Sequence, residues 1–226
     1  MNSGVLYLVA TPIGNYQDIT FRALEVLRSV DVIVFEERKE ANRLLNHFKI
    51  EKAVESLNEH NELVATEIII SLLKNGKNIA LISDCGTPLF SDPGQLLVKK
   101  CIDLKIKITP LPGASSLMPA LTVSGFSIEQ FFYYGWLSPK RERRISELQK
   151  LKRETRTFVI MDTPYRLVQV MRDINDVLGG NRKICVAFNL TLQDEEIFHG
   201  TAGQLFKLFA STEKKGEFVI VVDGAK

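Results

Sequence analysis

The chain has 226 residues, 45% of them hydrophobic, with 29 Lys+Arg against 27 Asp+Glu and a formal net charge of +2. Disorder needs low hydrophobicity and high net charge together, and neither is present. Three cysteines (Cys85, Cys101, Cys185) without a C-x-x-C pair argue against a disulfide framework, and three scattered histidines (His47, His60, His199) offer no zinc-ligand spacing, so no metal is expected.

The N-terminal segment MNSGVLYLVATPIG has a short apolar run but no basic region ahead of it. No apolar stretch in the chain approaches the roughly 18 residues of a membrane helix. The expectation is a soluble, cytoplasmic protein with no membrane contact.

Short β-branched runs alternate with amphipathic stretches, the pattern of α/β architecture. The first half predicts strands over Val5–Ala10, Asp31–Glu36, Asn78–Ser83 and Lys107–Leu111, separated by helices over Ile19–Ser29, Glu62–Lys74 and Gln95–Leu104. The second half predicts strands over Thr157–Asp162, Lys183–Asn189 and Glu217–Val222, with helices over Lys140–Arg153, Tyr165–Leu178 and Thr201–Ala210. Runs such as LYLVA, VIVF and FVIVV suit strands covered on both faces. Gly, Pro and Ser concentrate over Leu111–Ser127, which divides the chain into two α/β domains, residues 1–114 and 115–226.

Three loops follow strands of the first half. Thr11-Pro12-Ile13-Gly14-Asn15 is a Gly/Pro turn that leads into a helix, and it is not the G-x-G-x-x-G of a dinucleotide site. The twelve residues Ser83–Gly94 (SDCGTPLFSDPG) are richer in turn formers and hydroxyls than a connection requires, since strand–helix connections usually take about 2–6 residues. Pro112-Gly113-Ala114-Ser115-Ser116 precedes an apolar helix that either serine could merely cap. If the strands are parallel neighbours, all three loops converge on one crevice at their carboxyl ends.

The segments LYLVATPIGNYQDITFRALEVLRSVDVI, ISDCGTPLFSDPG and LPGASS resemble the tetrapyrrole methylase superfamily of S-adenosylmethionine-dependent methyltransferases, and within it the ribosomal RNA small subunit methyltransferase I group. The resemblance spans nearly the whole chain. It implies two α/β domains with S-adenosylmethionine in the cleft between them, and a homodimer. By position it implies cofactor contacts from Pro12, Thr87, Phe90, Ser115 and Ser116, and from Met161 and Ala187 in the second half. It further implies methylation of a cytidine ribose 2′-hydroxyl in small-subunit (16S) rRNA, with rRNA or the 30S particle as partner.

Such a hydroxyl is a poor nucleophile until its proton is removed or its developing charge stabilised. Glu36 and Glu37 after the second strand, Lys140 after the turn Trp136-Leu137-Ser138-Pro139, and Asp162 with Arg166 in MDTPYR are the candidate groups; Glu36, Lys140 and Arg166 are the leading catalytic candidates. Each is also readable as an ordinary surface charge at the end of a strand or the start of a helix.

Lys140–Arg156 holds eight basic and three acidic residues, a local +5 that leaves the remainder of the chain at −3. Ile145, Leu148 and Leu151 at three-residue spacing suggest a helix docked by that stripe with Arg141, Arg143 and Arg144 facing outward to contact RNA phosphates. Phe131-Phe132-Tyr133-Tyr134 and Trp136 could stack on an unpaired base or form a buried strand.

The chain departs from the group pattern at three places: E-D-T-R becomes Glu36-Glu37-Arg38-Lys39, E-S-P-H-R becomes Asp162-Thr163-Pro164-Tyr165-Arg166, and R-E-L-T-K becomes Phe188-Asn189-Leu190-Thr191-Leu192. The chain also stops at Lys226, short of the C-terminal extension common in the group. Two other readings therefore stand beside rRNA methylation: a methyltransferase with a small-molecule acceptor, and a cofactor-binding module without catalysis.

Overall fold

A computed structural model describes residues 3–90, 92–212 and 214–225. The chain divides into two compact units, Met1–Ser115 and Ser116–Lys226.

The first unit alternates strand and helix: β1 (Val5–Val9), α1 (Phe21–Ser29), β2 (Val32–Phe35), α2 (Arg38–His47), β3 (Ala53–Ser56), α3 (Glu62–Lys74), β4 (Ile79–Ile82), α4 (Gln95–Asp103) and β5 (Lys107–Leu111). All strand pairs are parallel, in the order β3-β2-β4-β1-β5. Every residue of VIVF in β2 and IALI in β4 is buried, because helices cover both faces of the sheet. On one face α3 and α4 pack Ile69, Leu73 and Leu97 against Leu6, Val34 and Leu81. On the other, α1 and α2 pack Leu27, Leu44 and Leu45 against Val9, Ile33 and Ile82. Each such aliphatic side chain, fully buried, stabilises by roughly 1.5–3 kcal/mol. Helix α1 starts where it does because the Thr20 hydroxyl accepts from the Ala23 N–H at 3.0 Å.

Helix α2 and strand β3 are additions to the sequence reading. The apolar positions of α2, Ala41, Leu44 and Leu45, sit at helical spacing within a strongly charged segment. Strand β3 is a four-residue sheet edge, AVES, with alternately exposed and half-buried residues.

The second unit contains α5 (Leu117–Val123), β6 (Phe131–Trp136), α6 (Arg141–Leu151), β7 (Thr157–Asp162), α7 (Leu167–Leu178), β8 (Lys183–Phe188), β9 (Glu196–Thr201), α8 (Ala202–Thr212) and β10 (Phe218–Val222). Its sheet runs β6-β7-β10-β8-β9. Strands β6 and β7 are parallel, whereas β10 is antiparallel to both β7 and β8, and β8 to β9. Helices α6, α7 and α8 bury Leu148, Met171, Ile174 and Phe209 against Phe158, Ile160 and Val222 on one face. Alternation turns Val219, Val221 and Ala187 to the other face, where α5 packs on β8 and β10 and His199 Nε2 lies 2.8 Å from the Val123 carbonyl. FFYYGW is the edge strand β6, half-buried along most of its length with Trp136 exposed. Strand β9 is a third unanticipated element. No described helix is long and apolar enough to cross a membrane.

Candidate active site

In the first sheet β1 pairs with β4 on one side and β5 on the other, so the three loops leave from neighbouring parallel strand ends. The chain leaving β4 turns to the face covered by α3 and α4, while the chains leaving its neighbours β1 and β2 turn to the face covered by α1 and α2. Loops that part in opposite directions open a crevice at the carboxyl edge, on each side of β4.

The loops are fastened to one another. Thr11 N–H donates to Gly86 O at 2.8 Å and Gly86 N–H to Thr11 O at 3.1 Å, an isolated two-residue bridge. The buried Thr11 hydroxyl donates to Ser83 O at 2.9 Å, and the Thr87 hydroxyl to Ala114 O at 3.2 Å. Two glycines permit this approach. Gly86 adopts φ +84°, and a Cβ there would sit 3.2 Å from Ile13 Cγ2; a Cβ on Gly113 would sit 2.8 Å from Ala10 Cβ. Pro12, Thr87, Phe90 and Ser115 thus come from loops on one rim, Phe90 at 38% exposure. Ser91 of the middle loop lies outside the described residues.

Beside these loops lies a concentration of carboxylates. Glu36, just past β2, is pushed up to about 7, first by burial and then by the charges of Asp92, Asp84, Glu37 and Glu59. Asp84 is also raised, chiefly by burial, although its Oδ1 accepts from Glu37 N–H at 3.1 Å. Asp92 Oδ2 is buried with no hydrogen-bond partner among the described residues. Asp84 and Asp92 were visible in the loop sequence only as turn formers; their crowding around Glu36 depends on β2 and β4 being neighbours. Among the described residues, no group of three or more His, Cys, Asp or Glu side chains is arranged to hold a metal ion.

In the second unit Met161 of β7 and Ala187 of β8 both pair with Val219 of β10, which puts them in one row across the sheet. The Tyr133 hydroxyl donates to Met161 Sδ at 3.4 Å. Ser116 is the N-cap residue of α5, yet its hydroxyl makes no capping bond. Lys140 is exposed at the N-cap of α6, with its N–H on the Ser138 hydroxyl at 3.3 Å.

The arginines divide. Arg143 is exposed and Arg141 is 62% exposed, but Arg144 corrects the outward-facing expectation: it is 3% exposed and its Nε donates to Asp173 Oδ2 at 2.8 Å. The buried stripe of α6 is Arg144, Leu148 and Leu151, with Ile145 only half-buried. Arg144 is therefore unavailable to a phosphate. Arg166 is turned inward too, bonding Asp162 through Nε at 2.5 Å and Nη2 at 2.7 Å, while its Nη1 is buried with no hydrogen-bond partner among the described residues. Asp173, the partner of Arg144, was not singled out from the sequence.

The sequence of a parallel sheet followed by a second, mixed sheet recurs in solved structures. A cobalamin-biosynthetic cobalt precorrin-4 methyltransferase has the same fold at TM-score 0.70 and 16% identity, covering 97% of this chain and 94% of that one. A uroporphyrin-III C-methyltransferase from Thermus thermophilus matches at TM-score 0.67 and 17% identity, again over 97% and 94%.

The family model for tetrapyrrole (corrin/porphyrin) methylases matches residues 5–205, and the chain belongs to that family. Relatives called ribosomal RNA small subunit methyltransferase I are 42% identical in Buchnera aphidicola subsp. Schizaphis graminum, over 99% of this chain and 80% of that protein, and 42% identical in Synechocystis sp., over 98% and 80%. The Escherichia coli O157:H7 relative of the same name is 40% identical over 100% of this chain and 79% of its own length. The chain is an S-adenosylmethionine-dependent methyltransferase.

The residues present fit that donor. A cationic sulfonium carrying an amino-acid tail and an adenosine asks for backbone and hydroxyl partners in a negative field. Gly86 and Gly113 leave a cradle that an added Cβ would fill, and the carboxylates beside it, Asp84, Asp92 and Glu37, carry the charge that suits a sulfonium.

Proposed function

We propose that the protein methylates small-subunit rRNA, at a cytidine ribose 2′-hydroxyl. The observation that carries this reading is the 40–42% identity, over almost the whole chain, to relatives called ribosomal RNA small subunit methyltransferase I. Exposed Lys140, Arg141 and Arg143 at the start of α6 supply cations for the phosphate backbone. In this reading the donor is held by Pro12, Thr87, Phe90 and Ser115 from the first unit and by Ser116, Met161 and Ala187 from the second, and the protein works as a homodimer.

When bound, the donor supplies an electrophilic methyl group. The chain's own task is to place an oxygen in line with it and remove a proton. Glu36 fits the proton step, because a carboxyl poised near 7 is part-ionised at neutral pH and still basic enough to take a hydroxyl proton as the oxygen becomes nucleophilic.

The test is transfer of labelled methyl to 30S particles from cells lacking this modification, followed by nucleoside analysis. Label on a ribose supports the reading. Label on a base, or transfer only to a small tetrapyrrole, replaces it, and donor binding without turnover on any RNA pool reassigns the protein as a binding module. Within the same assay Glu36→Gln lowers kcat/KM by about 10²–10⁴-fold and removes the acid limb near 7 from the wild-type profile of kcat/KM, which reports the free enzyme.

A further inference from the structure

The segment Trp136–Arg141 runs from the last residue of β6 to the first of α6, and all of it but Leu137 is exposed or half-buried. A surface turn ordinarily leaves its carbonyls to water, but here buried charge takes three in a row. Leu137 O accepts from Arg166 Nη2 at 2.9 Å, while Ser138 O and Pro139 O accept from Arg144 Nη1 at 3.0 and 3.1 Å. The Ser138 N–H donates to Glu147 Oε2 at 2.8 Å. Each guanidinium is in turn oriented by a carboxylate with almost no exposure, Arg166 by Asp162 (0%) and Arg144 by Asp173 (2%). The second oxygen of Asp173 accepts from Arg141 Nε at 3.1 Å, so one buried carboxylate fixes both the carbonyl clamp and the exposed cation at the end of the turn.

Burying two ion pairs is a poor route to stability, because desolvation offsets most of the Coulomb gain and well-packed apolar residues of similar size do as well or better. What the arrangement does provide is geometry. It holds the turn at consecutive carbonyls and leaves outside an indole at 47% exposure, the Lys140 ammonium and the Arg141 guanidinium. A half-exposed indole and two exposed cations within six residues are the side-chain types that take up an unpaired nucleotide and its phosphates.

We infer that Asp162–Arg166 and Asp173–Arg144 are positioning residues that pre-shape Trp136–Arg141 as the contact element for an unpaired stretch of the RNA acceptor. The inference rests on the rRNA reading above. Neither pair touches the substrate; they act through Trp136, Lys140 and Arg141.

The decisive variant replaces one pair as a unit, Arg144→Met with Asp173→Leu, which keeps the core filled while releasing two carbonyls and Arg141. With unmodified 30S particles as acceptor, its KM rises on the order of 10–100-fold, while kcat and the donor Kd from calorimetry stay within about twofold and Tm does not fall. Arg144→Lys does not rescue KM, because an ammonium cannot hold Asp173 and two carbonyls in one plane. Trp136→Ala raises KM by about tenfold while kcat and the donor Kd stay within about twofold, and Trp136→Phe restores most of the KM. A KM for 30S particles that is unchanged in both the double variant and Trp136→Ala overturns the inference while leaving rRNA methylation standing. A wild-type protein that labels no 30S ribose overturns the rRNA reading, and the inference falls with it.

Discussion

The loops at the carboxyl edge of the first sheet and the turn after β6 in the second are both surface connections, yet different forces hold them. The loops are closed by backbone on backbone, through the Thr11–Gly86 bridge, and by hydroxyls on carbonyls, with glycines where chains touch. The turn is closed by guanidiniums seated on buried carboxylates. A backbone clamp tolerates no added atom, because its partners are less than a side chain apart. An ionic clamp tolerates replacement of both partners together but not of one. In the proposed function the first kind would hold the invariant methyl donor, and the second an acceptor whose contacts can be changed around a fixed fold.

The sharpest way to break that contrast is to remove half of the ionic clamp. Asp173→Ala strands Arg144 at 3% exposure without its carboxylate and costs about 3–5 kcal/mol, read as a lower urea midpoint with unchanged m-value. An effect below about 1 kcal/mol would mean that water reaches Arg144 and that the clamp is not buried.

The backbone clamp gives a smaller stability effect and a larger functional one. Gly86→Ala forces a side chain to φ +84° against Ile13 Cγ2 and costs about 1–2 kcal/mol. Because the Thr11–Gly86 bridge sets the spacing of two loops, donor Kd weakens about tenfold in calorimetry. A matching pair of substitutions cannot repair this, whereas Arg144→Met with Asp173→Leu does restore the stability lost from the other clamp.

Much of this molecule was legible in its sequence where one physical signal dominated. VIVF, IALI and FVIVV are uninterrupted apolar runs, and they are β2, β4 and the buried β10. The long Ser83–Gly94 loop announced itself by composition. Helix α2 was hidden because charged residues surround Ala41, Leu44 and Leu45, and the edge strands β3 and β9 because partial exposure lets their residues mix polar and apolar. Arg144 misled for a related reason. Reading the α6 stripe from Ile145 sets Arg144 outside, but spacing of four then three places residues 144, 148 and 151 inside. The helical pattern of α7 likewise puts Asp173 between Val170 and Ile174 on its buried face. Opposite charges on the core stripes of two successive helices were the available sign of a buried pair. The environment of Glu36 had no local sign, since Asp84 and Asp92 reach it only through the β2–β4 pairing.

The smallest expected stability effect tests that environment. Burial and neighbouring carboxylates raise Glu36 from an ordinary 4.5 to about 7, so the folded state holds this proton more tightly than the unfolded chain does. The stabilisation that goes with the bound proton is fully present below about pH 4.5 and is lost as pH rises to about 7. Glu36→Gln removes the ionisation, so its advantage over wild type is near zero at about pH 4, grows between about 4.5 and 7, and is level above that. A shift of this size corresponds to about 3 kcal/mol at most, and solvent screening of a half-buried carboxylate reduces it to about 1–2 kcal/mol, or roughly 3–6 °C in Tm at about pH 8. If Glu36 takes the proton as proposed, the same substitution gains stability and loses turnover, because the burial and neighbouring charge that make ionised Glu36 costly to the fold also keep it basic near neutral pH. A Glu36→Gln variant no more stable than wild type at that pH would show that burial and the neighbouring carboxylates do not raise Glu36, and would take the proton step away from this residue.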